Sequence, residues 1–448
     1  MQLRSVSSGR LRDAHFRELV SGSSAAFVLR LVGMLFSYFF TLLITRNFGS
    51  SAMGVFALSS TVLSVVSIFS RLGLDTALMR FTAEHASQGN NGAVKAFYVN
   101  ALKVVVPFSI LLSCLLFFSS PFIAEYIFKK ASLAYPFKII SIAILPMTLI
   151  FIDAQCLRGL NKIREFSFLQ NISNFMFATI ILGCAHFFYR GDDVPLMAFV
   201  AGTFLGAFSG SLLWLKNIGP APASHTGGSG AGSMLRVSLP MLLSTSMFFI
   251  MQWTDTIILG VFRTEAEVGI FSVSLKVATV ASMTLIAVNS MAAPQFAKFY
   301  GKKDMESLEK TVRHTTKLIF WTSLPALVII FLMPTYILGF FGEEFKKGAV
   351  ALLLLTAGQF INAISGSVGA LLNMTGRQRV FQHIMLAATG LNIILNIVLI
   401  PRYGINGAAF ASMISVIFWN GASVLYIKNS FNILTLYVPL FVRVGFGK

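Results

Sequence analysis

Acidic residues are scarce in this chain. It has 17 Asp and Glu against 35 Lys and Arg in 448 residues, and only 12% of its residues are charged. That excludes an ordinary soluble globular domain, in which about a quarter of residues carry charge. Cysteine is scarcer still: Cys114, Cys156 and Cys184 show no metal or disulfide spacing and read as small core residues. Several motifs are missing altogether. There is no G-x-x-x-x-G-K-[ST] loop to cradle the phosphates of ATP, no HExxH pair, no G-x-S-x-G elbow and no cysteine-rich metal site. The six histidines, His15, His85, His186, His225, His314 and His383, are scattered, mostly at segment ends. No catalytic residue, metal site or cofactor is therefore expected, and the chain is not expected to be an enzyme. Nucleic acid is not an expected partner, because no soluble stretch is long enough for a binding fold.

What is abundant is apolar surface. The chain is 56% hydrophobic with 44 Phe and a mean hydropathy of +0.77. About twelve apolar runs are long enough to cross a bilayer as helices. They lie near 24–45, 53–74, 99–120, 134–156, 167–189, 195–216, 237–260, 269–291, 316–338, 349–372, 383–400 and 407–427. The alternation of a β-barrel is absent, and within lipid each helix pairs its own backbone groups. The expectation is an all-α multi-pass membrane protein.

Orientation follows from Lys and Arg. With the N-terminus inside, 23 of the 35 lie on cytoplasmic segments and their first turns, nine on outer loops, and three (Arg30, Arg71 and Lys276) in or at the edges of spans. Both termini are thus expected in the cytoplasm, and anionic lipid of the inner leaflet accounts for most of the net charge of +18. Residues 11–20 suit a short interfacial helix. No cleavable leader is evident ahead of the first span.

The chain repeats itself. Gly54-Val55-Phe56, Phe81, Lys95, Leu157, Arg164 and Phe166 recur 215 residues later as Gly269-Ile270-Phe271, Phe296, Lys310, Leu372, Arg379 and Phe381. Six spans per copy is an even number, so the copies share one orientation and are expected to be related by a pseudo-two-fold axis along the membrane normal. The expected domains are a six-helix bundle over 1–216, a Pro-, Gly- and Ser-rich cytoplasmic linker over 217–235, a second bundle over 236–428 and a short interfacial tail over 429–448. A duplicated membrane half marks a carrier, with its substrate path between the halves.

Polar residues inside spans are the candidate site, since charge in hydrocarbon is costly. Arg30 shares a helical face with Ser37 and Thr41, about 10 Å into the first span. It reads either as an anion contact or as an arginine reaching back to the headgroups. Arg71, with Asp75 four residues on, reads as a structural pair or as a second anion contact. Asp255 and Lys276 sit at similar depth in spans 7 and 8, as an ion pair or as charges that separate during transport. Gln252, Gln359, Asn362, Asn392 and Asn396 add amide stripes that tie helices together or line a path for sugar hydroxyls.

The stretches RNFGSSAMGVFAL (46–58), SRLGLDTALMRF (70–81), LNMTGRQRVF (372–381) and IPRYGINGAAFAS (400–412) make nearly the whole chain resemble the polysaccharide transporter family. These are the Wzx-type lipid-linked oligosaccharide flippases of the multidrug/oligosaccharidyl-lipid/polysaccharide superfamily. The resemblance implies a MATE-like fold of two six-helix bundles around a cationic lumen, with Arg30 matching its span-1 arginine. It implies a flippase that moves a polyprenyl-pyrophosphate-linked unit, such as an O-antigen repeat of lipopolysaccharide, between leaflets of a bacterial inner membrane by alternating access. An undecaprenyl-pyrophosphate-type glycolipid, membrane lipids and glycan polymerase or assembly proteins are the partners it implies. Two other readings remain open: a cation-coupled drug exporter of the same fold, which needs an acid such as Asp153 or Asp255, and a non-transporting scaffold for glycan-assembly enzymes.

Overall fold

A computed structural model describes residues 3–185, 191–219, 238, 253–437 and 439, with side chains from Phe27 onward. The described residues are helical almost throughout and contain no strand. In chain order the helices are α1 (Leu3–Ser70), α2 (Leu74–Ser87), α3 (Asn91–Phe122), α4 (Ala134–Ser141), α5 (Ile144–Gly159), α6 (Ile163–Ser167), α7 (Asn174–Ala185) and α8 (Val194–Ile218). Then come α9 (Trp253–Phe262), α10 (Glu265–Thr279), α11 (Met283–Gly301), α12 (Met305–Leu332), α13 (Pro334–Gly339), α14 (Ala349–Ser365), α15 (Val368–Met374) and α16 (Gln378–Phe431).

Eight helical stretches among the described residues are long and apolar enough to cross a membrane, or nine with the bent pair α4–α5. Two of them hold two expected spans each. α1 turns at Gly49 (φ 81°) and α16 at Gly404 (φ 55°), backbone conformations that glycine adopts without a Cβ clash. Expected span 7 is described only from Trp253, as α9. The α4–α5 bend of 45° precedes Pro146, whose ring cannot accommodate the carbonyl four residues back. No separate interfacial helix forms over 11–20, because α1 is already helical from Leu3 and runs unbroken into the first span.

Packing divides the chain into two units, Met1–Ile44 with Ser59–Ser246, and Thr45–Leu58 with Met247–Lys448. The short segment 45–58, which joins the first two spans and includes the start of the second, thus packs with unit 2. Its helix starts at Ser50, where Glu344 caps it: Oε1 accepts the Ser50 N–H at 2.5 Å and Oε2 the Ser50 hydroxyl at 2.7 Å. One turn on, the two copies of the Gly-x-Phe motif meet. A Cβ on Gly54 would lie 1.7 Å from the carbonyl oxygen of Glu265, and one on Gly269 would lie 2.1 Å from that of Ser50. Ser50 and Glu265 are themselves 215 residues apart, so this crossing is reciprocal.

Each unit has an apolar core. In unit 1, Leu74, Leu78, Val94, Phe97, Val105, Ile152, Cys156 and Trp214 pack together. In unit 2 the corresponding core contains Phe296, Val312, Val368, Leu371, Leu372 and Val424. Ile433 belongs to that same core, and the Tyr437 N–H donates to the Ile364 carbonyl at 3.0 Å. The segment after α16, expected at the membrane interface, therefore packs into unit 2 as far as Tyr437. It fastens where α14 breaks at Gly366 (φ 71°), because a broken helix leaves carbonyls without partners. Before α12, Asp304 accepts the Ser307 N–H at 3.0 Å, which holds its carboxyl below the usual carboxylate range.

Candidate functional site: intramembrane polar clusters

Arg30 is exposed on α1. Its neighbours at helical spacing are Ser37 and Thr41, while Leu35 (69% exposed) and Phe39 (54% exposed) occupy the opposite side. The guanidinium is thus turned away from the most open apolar face, and makes no hydrogen bond or ion pair with a described residue. One turn further, Gly33 lets α1 lie against the backbone of Asn171, where a Cβ would meet the carbonyl oxygen at 2.2 Å. Thr41 is fully buried and its hydroxyl donates to the Ser37 carbonyl at 2.9 Å. The polar stripe of the first span therefore enters the bundle above Ser37.

Arg71 is buried and engaged on three sides. Its Nη1 lies 3.2 Å from Asp75 Oδ2, its Nε donates to the Ser67 carbonyl at 3.0 Å, and its guanidinium lies 3.9 Å from the centre of the Phe151 ring. This is the structural pair expected from the four-residue spacing.

Asp255 does not pair with Lys276. Its Oδ1 accepts from Asn392 Nδ2 at 3.0 Å and Asn396 Nδ2 at 2.6 Å, and its Oδ2 accepts from the Ser412 hydroxyl. Local geometry builds this cluster. Asn392 and Asn396 share a face at four-residue spacing. Asn396 lies eight residues before Gly404 and Ser412 eight after it, so the turn at Gly404 brings them level. Arg263 ties α9 to the same turn through the Ile400 and Pro401 carbonyls, at 3.1 and 3.0 Å. Eight residues earlier, about 12 Å along the helix, α9 presents Asp255. The Asn392 Oδ1 accepts a second N–H of Asn396 at 3.0 Å, and the Asn396 Oδ1 is buried without a partner. The Asp255 carboxylate is thus filled by two amide N–H groups and a hydroxyl, a hydrogen-bond network that satisfies the buried charge.

Lys276 is half-buried on α10. Gln359 and Asn362 are half-buried on α14, and their amides join Asn420 of α16: Asn420 Nδ2 lies 3.4 Å from Asn362 Oδ1, and Asn362 Nδ2 lies 3.5 Å from Gln359 Oε1. Gln252 lies outside the described residues, as do most of the linker and the chain beyond residue 439.

Four residues escaped the sequence reading: Ser412, Asn420, Tyr98 and Ser211. Ser412 carries no signal of its own. Asn420 is an amide inside an apolar run, the kind of signal already used for Asn392. Tyr98 bonds a second buried acid, Asp153, which the sequence offered only as an acid for cation coupling. Asp153 is fully buried, with Tyr98 Oη donating to Oδ1 at 2.6 Å and Ser211 Oγ donating to Oδ2 at 3.1 Å.

Long bent helices in two copies, with polar clusters buried at membrane depth, define the class: a multi-pass membrane protein with a MATE-like transporter fold. The solved lipid II flippase MurJ, in an inward closed conformation, matches with a TM-score of 0.74 at 16% identity, over 91% of this chain and 87% of that one. A MATE-family multidrug resistance transporter in an inward-facing conformation matches with a TM-score of 0.71 at 13% identity, over 91% and 98%. The chain belongs to the polysaccharide biosynthesis protein family, whose model matches residues 43–350. Among curated proteins it is 22% identical over 402 residues to a probable low-salt glycan biosynthesis flippase, Agl15, of Haloferax volcanii, covering 89% of this chain and 81% of the relative. It is also 23% identical over 395 residues to an uncharacterized membrane protein of Methanocaldococcus jannaschii, covering 85% and 91%. The relatives and solved neighbours with a named activity are flippases and transporters, not enzymes, in keeping with the sequence expectation.

Proposed function

We propose that this protein is a flippase for a lipid-linked oligosaccharide, moving the sugar headgroup and its phosphate linkage across the bilayer while the lipid tail stays in it. A sugar and a pyrophosphate cannot cross hydrocarbon unaided, because their polar groups would lose their water without replacement. The observation that carries the reading is Arg30: a guanidinium about 10 Å into the first apolar span, exposed, on the polar face of its helix, without a partner among the described residues. A free guanidinium is suited to grip a phosphate through two parallel hydrogen bonds. The family membership and the flippase named among the relatives support the cargo class.

The finer assignments are part of the same proposal. The cargo is a polyprenyl-pyrophosphate-linked unit of a surface glycan; the named relatives are archaeal, so the reading extends beyond the O-antigen of a bacterial inner membrane. Both termini face the cytoplasm, where Lys and Arg concentrate, and access alternates between the two sides. Lys276, Gln359 and Asn362 serve as secondary contacts, whereas Arg71 and Thr41 act in packing.

The test is flipping of a fluorescent polyprenyl-pyrophosphate-linked oligosaccharide in vesicles containing the purified protein. Arg30→Ala is expected to lower the rate at least tenfold, the loss of about 1.4 kcal/mol or more of charge-assisted binding. Arg30→Lys should retain an intermediate rate, since the ammonium keeps the charge but loses the fork. Full activity of Arg30→Ala would remove the phosphate contact from the proposal.

A further inference from the structure

The 215-residue repeat gives an internal control for every buried polar group. Phe81 and Phe296, Phe97 and Val312, and Cys156 and Leu371 are repeat-related, and each pair packs in or against the corresponding core of its own unit. At the same offset Asp153 corresponds to Val368, a fully buried residue of the unit 2 core. Tyr98 corresponds to Arg313 and Ser211 to Tyr426. The bundle thus packs around valine at this position, and nothing in its architecture calls for an acid. Yet unit 1 buries a carboxyl there completely, where an ion without a counter-charge is costly.

The surroundings are closed and neutral. α3 contributes Tyr98, α8 contributes Ser211, and α5 itself contributes Cys156, beside Thr82 of α2. Among the described residues Asp153 has no ion pair. The nearby cation, Arg71 over the Phe151 ring, is committed to Asp75. The Tyr98 ring is held against Trp214, with centroids 4.5 Å apart. A Cβ on Gly210 would lie 3.1 Å from Asp153 Oδ2, so glycine is what lets α8 approach. The three polar groups lie six or seven residues inside the ends of α5, α3 and α8, about 10 Å from the basic side of the membrane.

Both oxygen contacts of Asp153 are hydroxyls, and a hydroxyl both donates and accepts. With Asp153 ionised, Tyr98 and Ser211 donate to it. With a proton on Oδ2, that proton donates to Ser211 Oγ, and the serine hydroxyl turns to a carbonyl one helical turn back, as helical serines commonly do. Both states are satisfied without moving a helix. Asp255 differs in having two amide N–H groups on Oδ1 and a single hydroxyl, Ser412, on Oδ2.

We infer that the Asp153–Tyr98–Ser211 cluster is a proton-binding site that couples proton uptake and release on the basic side of the membrane to the transport cycle. The coupling half of this inference rests on the flippase reading; the binding half does not.

Two measurements separate them. Infrared difference spectra of the full-length protein in lipid nanodiscs, stepped in pH, should show the carbonyl stretch of a protonated carboxyl appearing as pH falls. That band should vanish in Asp153→Asn and persist in Asp255→Asn. Tyr98→Phe, which keeps the ring against Trp214 but removes a donor to the ionised form, should bind the proton about tenfold more tightly. Persistence of the whole band in Asp153→Asn, or an unchanged midpoint in Tyr98→Phe, would overturn the site. The Tyr98→Phe arm decides the matter should Asp153→Asn fail to fold. In vesicles with the fluorescent lipid-linked oligosaccharide, an imposed pH gradient should change wild-type flipping several-fold and leave Asp153→Asn at one rate. A gradient response kept in full by that variant would overturn coupling. No flipping by any form would overturn the cargo proposal and with it the coupling, while the infrared result still stands or falls by itself.

Discussion

The same two positions of the repeat carry opposite chemistry in the two units. In unit 2, Asp255 collects two amides and a serine. Its counterpart in unit 1, 215 residues earlier, is Phe40, whose ring packs with Phe175 and Phe199 at 6.0 and 6.3 Å. The partners change in step: Asn392 corresponds to Phe177, Asn396 to Ile181 and Ser412 to Met197. In the other direction, the acid of unit 1 is Asp153 and its counterpart is Val368. Each unit thus holds one buried acid where the other is apolar. A duplicated scaffold packs with either chemistry, provided a polar group arrives with all of its partners.

This comparison can be broken or sharpened by exchange. The largest effect is expected from Phe40→Asp, which places a carboxyl among aromatic rings without donors. Destabilisation of several kcal/mol is expected, seen as loss of folded protein in thermal unfolding. Asp255→Leu comes next. It strands the donors of Asn392, Asn396 and Ser412 at about 1–3 kcal/mol each, and adding Asn392→Leu and Asn396→Leu should recover much of the loss. The double change Asp153→Val with Tyr98→Phe should cost within about 1 kcal/mol, since both partners are replaced together, while abolishing the pH-dependent infrared band. A clear drop in melting temperature would show that the acid is structural after all.

The smallest expected difference lies outside the membrane. α3 is capped by a neutral residue, Asn90 accepting the Ala93 N–H at 3.0 Å, and α12 by Asp304. The Asp304 carboxyl titrates below its unfolded value, so its cap is fully present above the unfolded pKa and is lost as pH falls through the lowered one. Acidification should therefore lower the protection factor of the Ser307 amide, its exchange measured against the intrinsic rate at each pH, and leave that of Ala93 unaffected by any cap titration. Equal loss of protection at both would argue against the acid cap.

Much of the fold was legible because lipid imposes simple rules. Span length and apolar content follow from bilayer thickness, and the twelve expected runs each have a helical counterpart, span 7 from Trp253 onward. The pair Arg71–Asp75 was legible because the two residues are only four apart in the chain, although Arg71 lies in the turn between α1 and α2 and Asp75 in the first turn of α2. Asp255 was misread because its partners lie 137 to 157 residues away, and similar depth to Lys276 was a poor guide to contact. Segment 45–58 was assigned with its sequence neighbours, whereas a glycine crossing and the Glu344 cap pack it with unit 2. The tail after α16 reads as too short to span, and nothing in its sequence shows that a break at Gly366 offers it a carbonyl.

The membrane as solvent, the positions of the apolar runs and the duplication could be read along the chain, because they depend on composition, run length and periodicity. Helical spacing also fixed which face carries Arg30. Which buried polar groups meet emerged from the packing of the helices. Hydrogen bonds between helices depend on crossing points, on turns such as Gly404 and on glycines that permit close approach. Asp255 thereby became the centre of an amide cluster, Arg71 a packed ion pair, and Asp153 a closed acid with two hydroxyl partners.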